Sequence, residues 1–249
     1  MFKISRSIRE CFVGVLLWTS FVLASPGFGA NNIIDSTYGT GAGSFELGAF
    51  VPNATDPLGR GSYMVLPQGS TTITGWTVGS NGIDWIPTPP FGTSTQFGMH
   101  AVDLNEVSPS SISTVIPTIA GQRYLLSFHT ATVVTGTGAG AVSAGSLVDQ
   151  AFTAPASPTI GAQVFAPFRF LFTANDALTT VTFRSTQFSC NSDCYGPALD
   201  AVSVSAFPVP EPQTYPMLLT GLGILGLAAY RRAKRRGMIE PLVESAPAC

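Results

Sequence analysis

The sequence predicts an all-β domain, a jelly-roll or β-sandwich of about eight or nine antiparallel strands, and three observations predict it. Apolar and polar residues alternate at period two in several short runs. Gly or Pro interrupts nearly every gap between those runs. Between the two terminal apolar segments, no stretch carries a helical period. The chain has 249 residues, which leaves roughly 180 for the domain, enough for one sandwich.

In chain order, weaker strand patterns fall at Ser44–Leu47, Ile73–Val78, Ile83–Ile86, Gly98–Leu104 and Ser111–Ile116. Four clearer ones follow. Tyr124, Leu126 and Phe128 point to one face while Ser127 and His129 point to the other. Phe168, Phe170 and Phe172 alternate with Arg169 and Leu171, Val181 and Phe183 with Thr182 and Arg184, and Val202 and Val204 with Ser203 and Ser205. Short antiparallel strands bury their apolar faces by pairing two sheets face to face, which is the reason for the sandwich.

Charge narrows the function. Only 10% of residues are charged, and between Asn31 and Phe207 ten acidic residues face four basic ones, Arg60, Arg123, Arg169 and Arg184. Phosphate backbones demand clustered Lys and Arg, so nucleic acid is excluded as a partner. The remaining basic residues crowd the two ends, where they flank apolar segments.

At the N-terminus, Lys3, Arg6 and Arg9 precede the mostly apolar run Cys11–Ala24, the order of an export signal read by the Sec machinery. Small residues at Val22-Leu23-Ala24 favour cleavage after Ala24, with Ala30 as the latest site, so residues 1–24 form the signal and 31–207 the domain. At the C-terminus, Val209-Pro210-Glu211-Pro212 ends the domain, because proline has no N–H to pair and cannot continue a sheet. An apolar run from Pro216 to Tyr230 and the basic cluster Arg231, Arg232, Lys234, Arg235 and Arg236 follow. Fifteen helical residues reach about 22 Å against a hydrocarbon core of about 30 Å, a marginal transmembrane helix. The basic cluster would hold residues 237–249 in the cytoplasm and the β domain outside.

This order of motif, apolar helix and basic cluster, residues 208–236, resembles the PEP-CTERM sorting domain. The resemblance implies an exosortase as partner, transient inner-membrane attachment through the C-terminal helix, and release to the cell surface or extracellular matrix of a Gram-negative bacterium that makes exopolysaccharide. The run Gly221-Leu222-Gly223-Ile224-Leu225-Gly226 matches G-x-G-x-x-G, but no preceding strand or following βαβ unit supports a nucleotide site.

The domain is similar to the DUF642 type through Ser44-Phe45-Glu46, Gly75-Trp76-Thr77-Val78, Ile83-Asp84-Trp85-Ile86, Ala101-Val102-Asp103-Leu104, Gly121-Gln122-Arg123-Tyr124 and Gly196-Pro197-Ala198-Leu199-Asp200-Ala201-Val202. That resemblance implies a galactose-binding-like jelly roll associated with polysaccharide. Val51–Ser70 and the Gly/Ala/Ser-rich Thr135–Ser146 depart from its compact pattern and read as loops. Similar sugar-binding jelly rolls hold a structural calcium between a glutamate on the first strand and an aspartate before the last, here Glu46 and Asp200; no other cofactor is required.

Aromatic planes suit sugar rings, and Trp76, Trp85 and Phe91 with Asp84 form the densest aromatic and polar neighbourhood. Whether the two tryptophans form a binding surface or belong to the core stays open at this level, since Trp is amphipathic. His100 and His129 are too few for a zinc centre, no Gly-x-Ser-x-Gly elbow occurs, and no catalytic residue is assigned. Glu46, Asp84, Asp103, Glu106 and Asp200 could supply the pair of carboxylates that a glycan hydrolase needs. Cys11 and Cys249 lie in the terminal segments, leaving Cys190 and Cys194 to close a small structural disulfide in an oxidising compartment. The expectation is a non-catalytic exported protein that binds extracellular polysaccharide; the alternatives are a passive structural envelope protein and a glycan-active hydrolase.

Overall fold

The computed structural model describes residues 31–56, 59, 61–87, 97–132, 138–156, 163–187, 195–207 and 214–235. The described residues open with a short helix, α1 (Ile33–Tyr38), whose N-cap Asn32 accepts from the Ile34 N–H and whose end is set by Gly39 at φ 115°. Twelve strands follow: β1 (Ala54–Thr55), β2 (Ser62–Leu66), β3 (Thr77–Val78), β4 (Ile83–Pro87), β5 (His100–Asp103), β6 (Ser111–Pro117), β7 (Arg123–Thr132), β8 (Gly138–Ala144), β9 (Leu147–Ala154), β10 (Ala166–Thr173), β11 (Leu178–Ser185) and β12 (Pro197–Ala206). Helix α2 (Thr214–Arg235) closes the described chain.

The strands form two wholly antiparallel sheets, one of seven strands in the order β1-β2-β4-β5-β12-β7-β10 and one of five in the order β3-β6-β11-β8-β9. The chain passes repeatedly from one sheet to the other, so the apolar faces of both meet in one core. At its centre Phe128 of β7 stacks on Phe168 of β10 (centroids 5.6 Å apart) and meets Phe183 of β11, in the other sheet, edge-on at 4.9 Å. The alternation read for β7, β10, β11 and β12 is therefore the alternation that builds the core.

Four local readings are corrected. Ser44–Leu47 is not a strand; residues 40–45 turn, with Phe45 at φ 58° and its ring fully buried. Within Ile73–Val78 only Thr77 and Val78 form a strand, paired to β6, while Ile73 makes a single isolated bridge to Gly48. The stretch Val51–Ser70, read as a loop, carries β1 and β2, and Thr135–Ser146, also read as a loop, carries β8. The glycines of β8 are structural: a Cβ on Gly140 would sit 2.2 Å from the Phe152 ring of β9, so only glycine lets that ring lie flat on the strand. Helix α1 gave no periodic signal because six residues are less than two turns. It is held from outside instead: Asn32 donates from Nδ2 to the Val202 carbonyl and accepts at Oδ1 from the Val204 N–H, tying the helix to β12.

The transmembrane reading of the C-terminal helix is also corrected. Among the described residues no helix is long and apolar enough to cross a membrane. Arg231, Arg232, Lys234 and Arg235 occupy the last turns of α2, so the apolar part ends at Tyr230.

Candidate functional site

Cross-strand register decides which residues share the outer face of the seven-stranded sheet. Between β4 and β5, Trp85 lies opposite Val102 on the core side, so Asp84 opposite Asp103 and Ile86 opposite Ala101 lie on the other side. Between β5 and β12, Asp103 faces Ala198; between β12 and β7, Ala198 faces Ala131 and Asp200 faces His129. A bulge follows immediately, with Ala201 at φ 49°, and returns Val202 to the core.

This outer face has a floor and walls. Ile86, Ala101 and Ala198 form a second apolar cluster, separate from the sandwich core, against which the half-buried rings of Tyr63, Phe165 and Tyr195 pack. Phe97 lies over His129 with centroids 4.1 Å apart and meets Phe165 edge-on at 6.0 Å. This central cluster and the aromatic rings packed against it make an apolar bed bordered by polar groups.

Those polar groups are incompletely satisfied. Asp84 Oδ1, Asn105 Oδ1, His129 Nδ1 and Asp200 Oδ2 are all buried without a hydrogen-bond partner. Buried polar atoms normally find partners, so four orphans close together set this face apart. Asp103, 1% exposed, accepts at Oδ1 from the N–H groups of Asn105 (3.0 Å) and Gly196 (2.8 Å).

Burial sets the protonation of this face. Asp84 is pushed up to about 9 by burial first, then by the neighbouring charges of Asp103 and Glu106. Burial raises Asp103 to about 7 against the two N–H groups it accepts. Asp200 rises to about 8 through burial, opposed by the Ala201 N–H and reinforced by the charge of Glu46. His129 is held below its ordinary value by burial and then by Arg169, and Tyr63 is raised by burial and then by Asp84.

The residues singled out from sequence fall into different places. Trp76 (2% exposed) and Trp85 (0%) are core, not sugar platforms; their indole N–H groups donate to the carbonyls of Ala42 (2.8 Å) and Phe45 (3.1 Å), pinning the turn segment over the core. That settles the two open readings of these rings, because a ring with no exposed face cannot lie against a sugar. Asp84 is on the outer face, two strands from Asp200. Glu46 accepts at Oε1 from the N–H groups of Met99 and His100 and contacts His100 Nδ1 through Oε2 at 3.0 Å, while its charge acts on Asp200. The two residues implied for calcium are near enough for their charges to interact, and the orphaned Asp200 Oδ2 is an atom a cation could satisfy. Among the described residues no three His, Cys, Asp or Glu side chains are arranged to hold a metal, so such an ion would need amide, carbonyl or water oxygens as well. Phe91, Cys190, Cys194, Val209, Pro210, Glu211, Pro212 and Arg236 lie outside the described residues.

Sequence reasoning missed Tyr63, Phe97, Phe165, Tyr195 and Asn105 as site residues. Period two assigned His129 to the face opposite Phe128, but only register brings it to Asp200 and Phe97.

Among solved structures the chain is similar to a family 35 carbohydrate binding module from Clostridium thermocellum (12% identity, 57% of this chain and 97% of that one, TM-score 0.38) and to a cyclase from Fischerella sp. TAU (13% identity, 68% and 95%, TM-score 0.42). It is also similar to a CBM35 from Paenibacillus barcinonensis (14% identity, 58% and 99%, TM-score 0.35). No curated protein matches it. A family model of proteins of unknown function, DUF642, matches residues 42–205, and a model of the PEP-CTERM protein-sorting motif matches residues 208–236. The chain therefore belongs to the DUF642 family and carries a PEP-CTERM sorting motif, which points to an exported protein of a Gram-negative bacterium.

Proposed function

We propose that this protein is a non-catalytic, exported polysaccharide-binding protein whose ligand lies on the outer face of the seven-stranded sheet. The observation that carries this reading is the coincidence of orphaned buried polar atoms on Asp84, His129 and Asp200 with an apolar bed walled by Tyr63, Phe97, Phe165 and Tyr195. Rings offer their faces to the C–H side of a sugar, and the polar atoms at the border suit its hydroxyls. Hydrolysis is disfavoured because the partner carboxylate, Asp103, is almost wholly buried with Oδ1 already held by two backbone N–H groups.

Affinity electrophoresis through gels containing the exopolysaccharide of the producing bacterium tests it. The wild-type protein should be retarded, and Phe97→Ala and Tyr195→Ala should each bind about tenfold more weakly, equivalent to about 1.4 kcal/mol. Equal mobility of wild type and both variants in gels with and without polymer would instead leave a passive structural envelope protein.

Export and sorting belong to the same proposal. The Sec machinery exports the chain, residues 1–24 are cleaved off as the signal peptide, the C-terminal helix engages the inner membrane transiently, and an exosortase cleaves near Pro210-Glu211-Pro212, releasing the domain to the surface or matrix. Intact-mass spectrometry of envelope and medium fractions should find a species that begins near Ser25 and ends near the motif. A chain retaining Cys249 in the inner-membrane fraction would overturn the sorting step.

A further inference from the structure

We propose that Asp84, Asp103 and Asn105 form a binding site for one divalent cation, calcium by the chemistry of its donors, at the β4–β5 edge of the outer face. The proposal stands on how these oxygens converge. Asp84 and Asp103 are directly opposed residues of an antiparallel pair on the same face, which brings their Cβ atoms to about 5 Å and makes two like charges destabilising unless something lies between them. Asn105, 1% exposed, keeps Oδ1 without a partner. That atom and Asp103 Oδ1 crowd the same place, since each lies 2.8 Å from the position a Cβ on Gly196 would take. Glycine at 196 leaves room for this approach, and its N–H fixes the Asp103 carboxylate. Asp84 Oδ1 is likewise buried and unpartnered, and Glu106 adds a further negative charge to the cluster.

All the donors are oxygens, two from carboxylates and one from an amide, the hard set that calcium takes with waters completing its shell. A proton can occupy the same geometry, and the two differ in what they respond to. The site is separate from the Glu46–Asp200 pair: Asp200 lies on β12, the strand next to that of Asp103, two residues along from the Ala198 that faces Asp103. It does not depend on glycan binding, and its readout needs no sugar.

The test uses the full chain stripped with EDTA, followed by thermal unfolding and equilibrium dialysis against calcium chloride at pH 7.5, with sodium chloride matched for ionic strength. Calcium should raise the melting temperature saturably, as a ligand of the native state does. Asp84→Asn should move two quantities in opposite directions, raising the melting temperature of the cation-free protein by removing a buried carboxyl that folding obliges to hold a proton, while lowering bound calcium by one per chain. Asn105→Ala, which removes an orphaned oxygen, should leave the cation-free protein folded and weaken calcium binding, so the inference is testable even where Asp84→Asn fails to fold. Asp200→Asn should retain this ion. No calcium-specific shift in the wild type, a full calcium count in both Asp84→Asn and Asn105→Ala, or loss of the shift in Asp200→Asn alone would each overturn the assignment, the last by placing the ion at Glu46–Asp200.

Discussion

Truncating Trp85 to alanine should destabilise the domain by about 3–5 kcal/mol, the cost of emptying a large aromatic site in a packed core. The ring has no exposed surface, touches Phe50 edge-on at 5.1 Å and His100 at 5.1 Å, and its N–H satisfies the Phe45 carbonyl. Removing it leaves both a cavity and an orphaned backbone oxygen, and the second penalty adds to the first. For a domain of this size the melting temperature should fall by roughly 10 °C. Differential scanning calorimetry checks this, and it has a bearing on function. Loss of matrix retention by Trp85→Ala would report unfolding and not a lost sugar contact, whereas a variant that melted like wild type yet lost retention would return this ring to the binding surface.

In the absence of a divalent cation, stability should fall steadily as pH rises from about 6.5 to about 9. Asp84, Asp103 and Asp200, raised to about 9, about 7 and about 8, bind protons in the folded state that the unfolded chain, titrating near 3.8, has already released. Their contribution is complete below the unfolded value and is lost as pH climbs through the folded ones. His129 has the opposite sign: its folded value lies below 6.5, so it costs stability as pH drops under that point. Above about pH 7.5 the histidine is neutral in both states and the carboxylates act alone, so the slope there is unmixed. The Asp84–Asp103 pair titrates as a unit, and the total loss should be on the order of several kcal/mol. Urea midpoints in EDTA across this range measure it. Asp84→Asn should flatten the profile, and a flat wild-type profile would mean that water reaches these carboxylates in the folded protein.

Much of the architecture was legible from local pattern. The alternation in Tyr124–Phe128, Phe168–Phe172 and Val181–Arg184 is a property of each strand alone, and it named the core-facing rings correctly. What escaped was whatever depended on a neighbour. The small residues of β8 look like a linker until Phe152 is laid across Gly140. Helix α1 is too short to show a period and exists because Asn32 is bonded to β12 some 170 positions away. Counting aromatics made Trp76 and Trp85 candidates for sugar contact, yet a ring's density in sequence does not tell which of its faces is covered.

The order of charges, prolines and apolar runs at the two ends, together with period two between them, was enough to assign an exported β domain with a PEP-type tail, because those signals are read along the chain by machinery that meets it unfolded or extended. The outer face of the seven-stranded sheet belongs to the tertiary structure. Asp84, Asp103, Ala198, Asp200 and His129 come from four strands spread over more than a hundred positions, and only cross-strand register, fixed by the packing of the opposite face, sets them side by side.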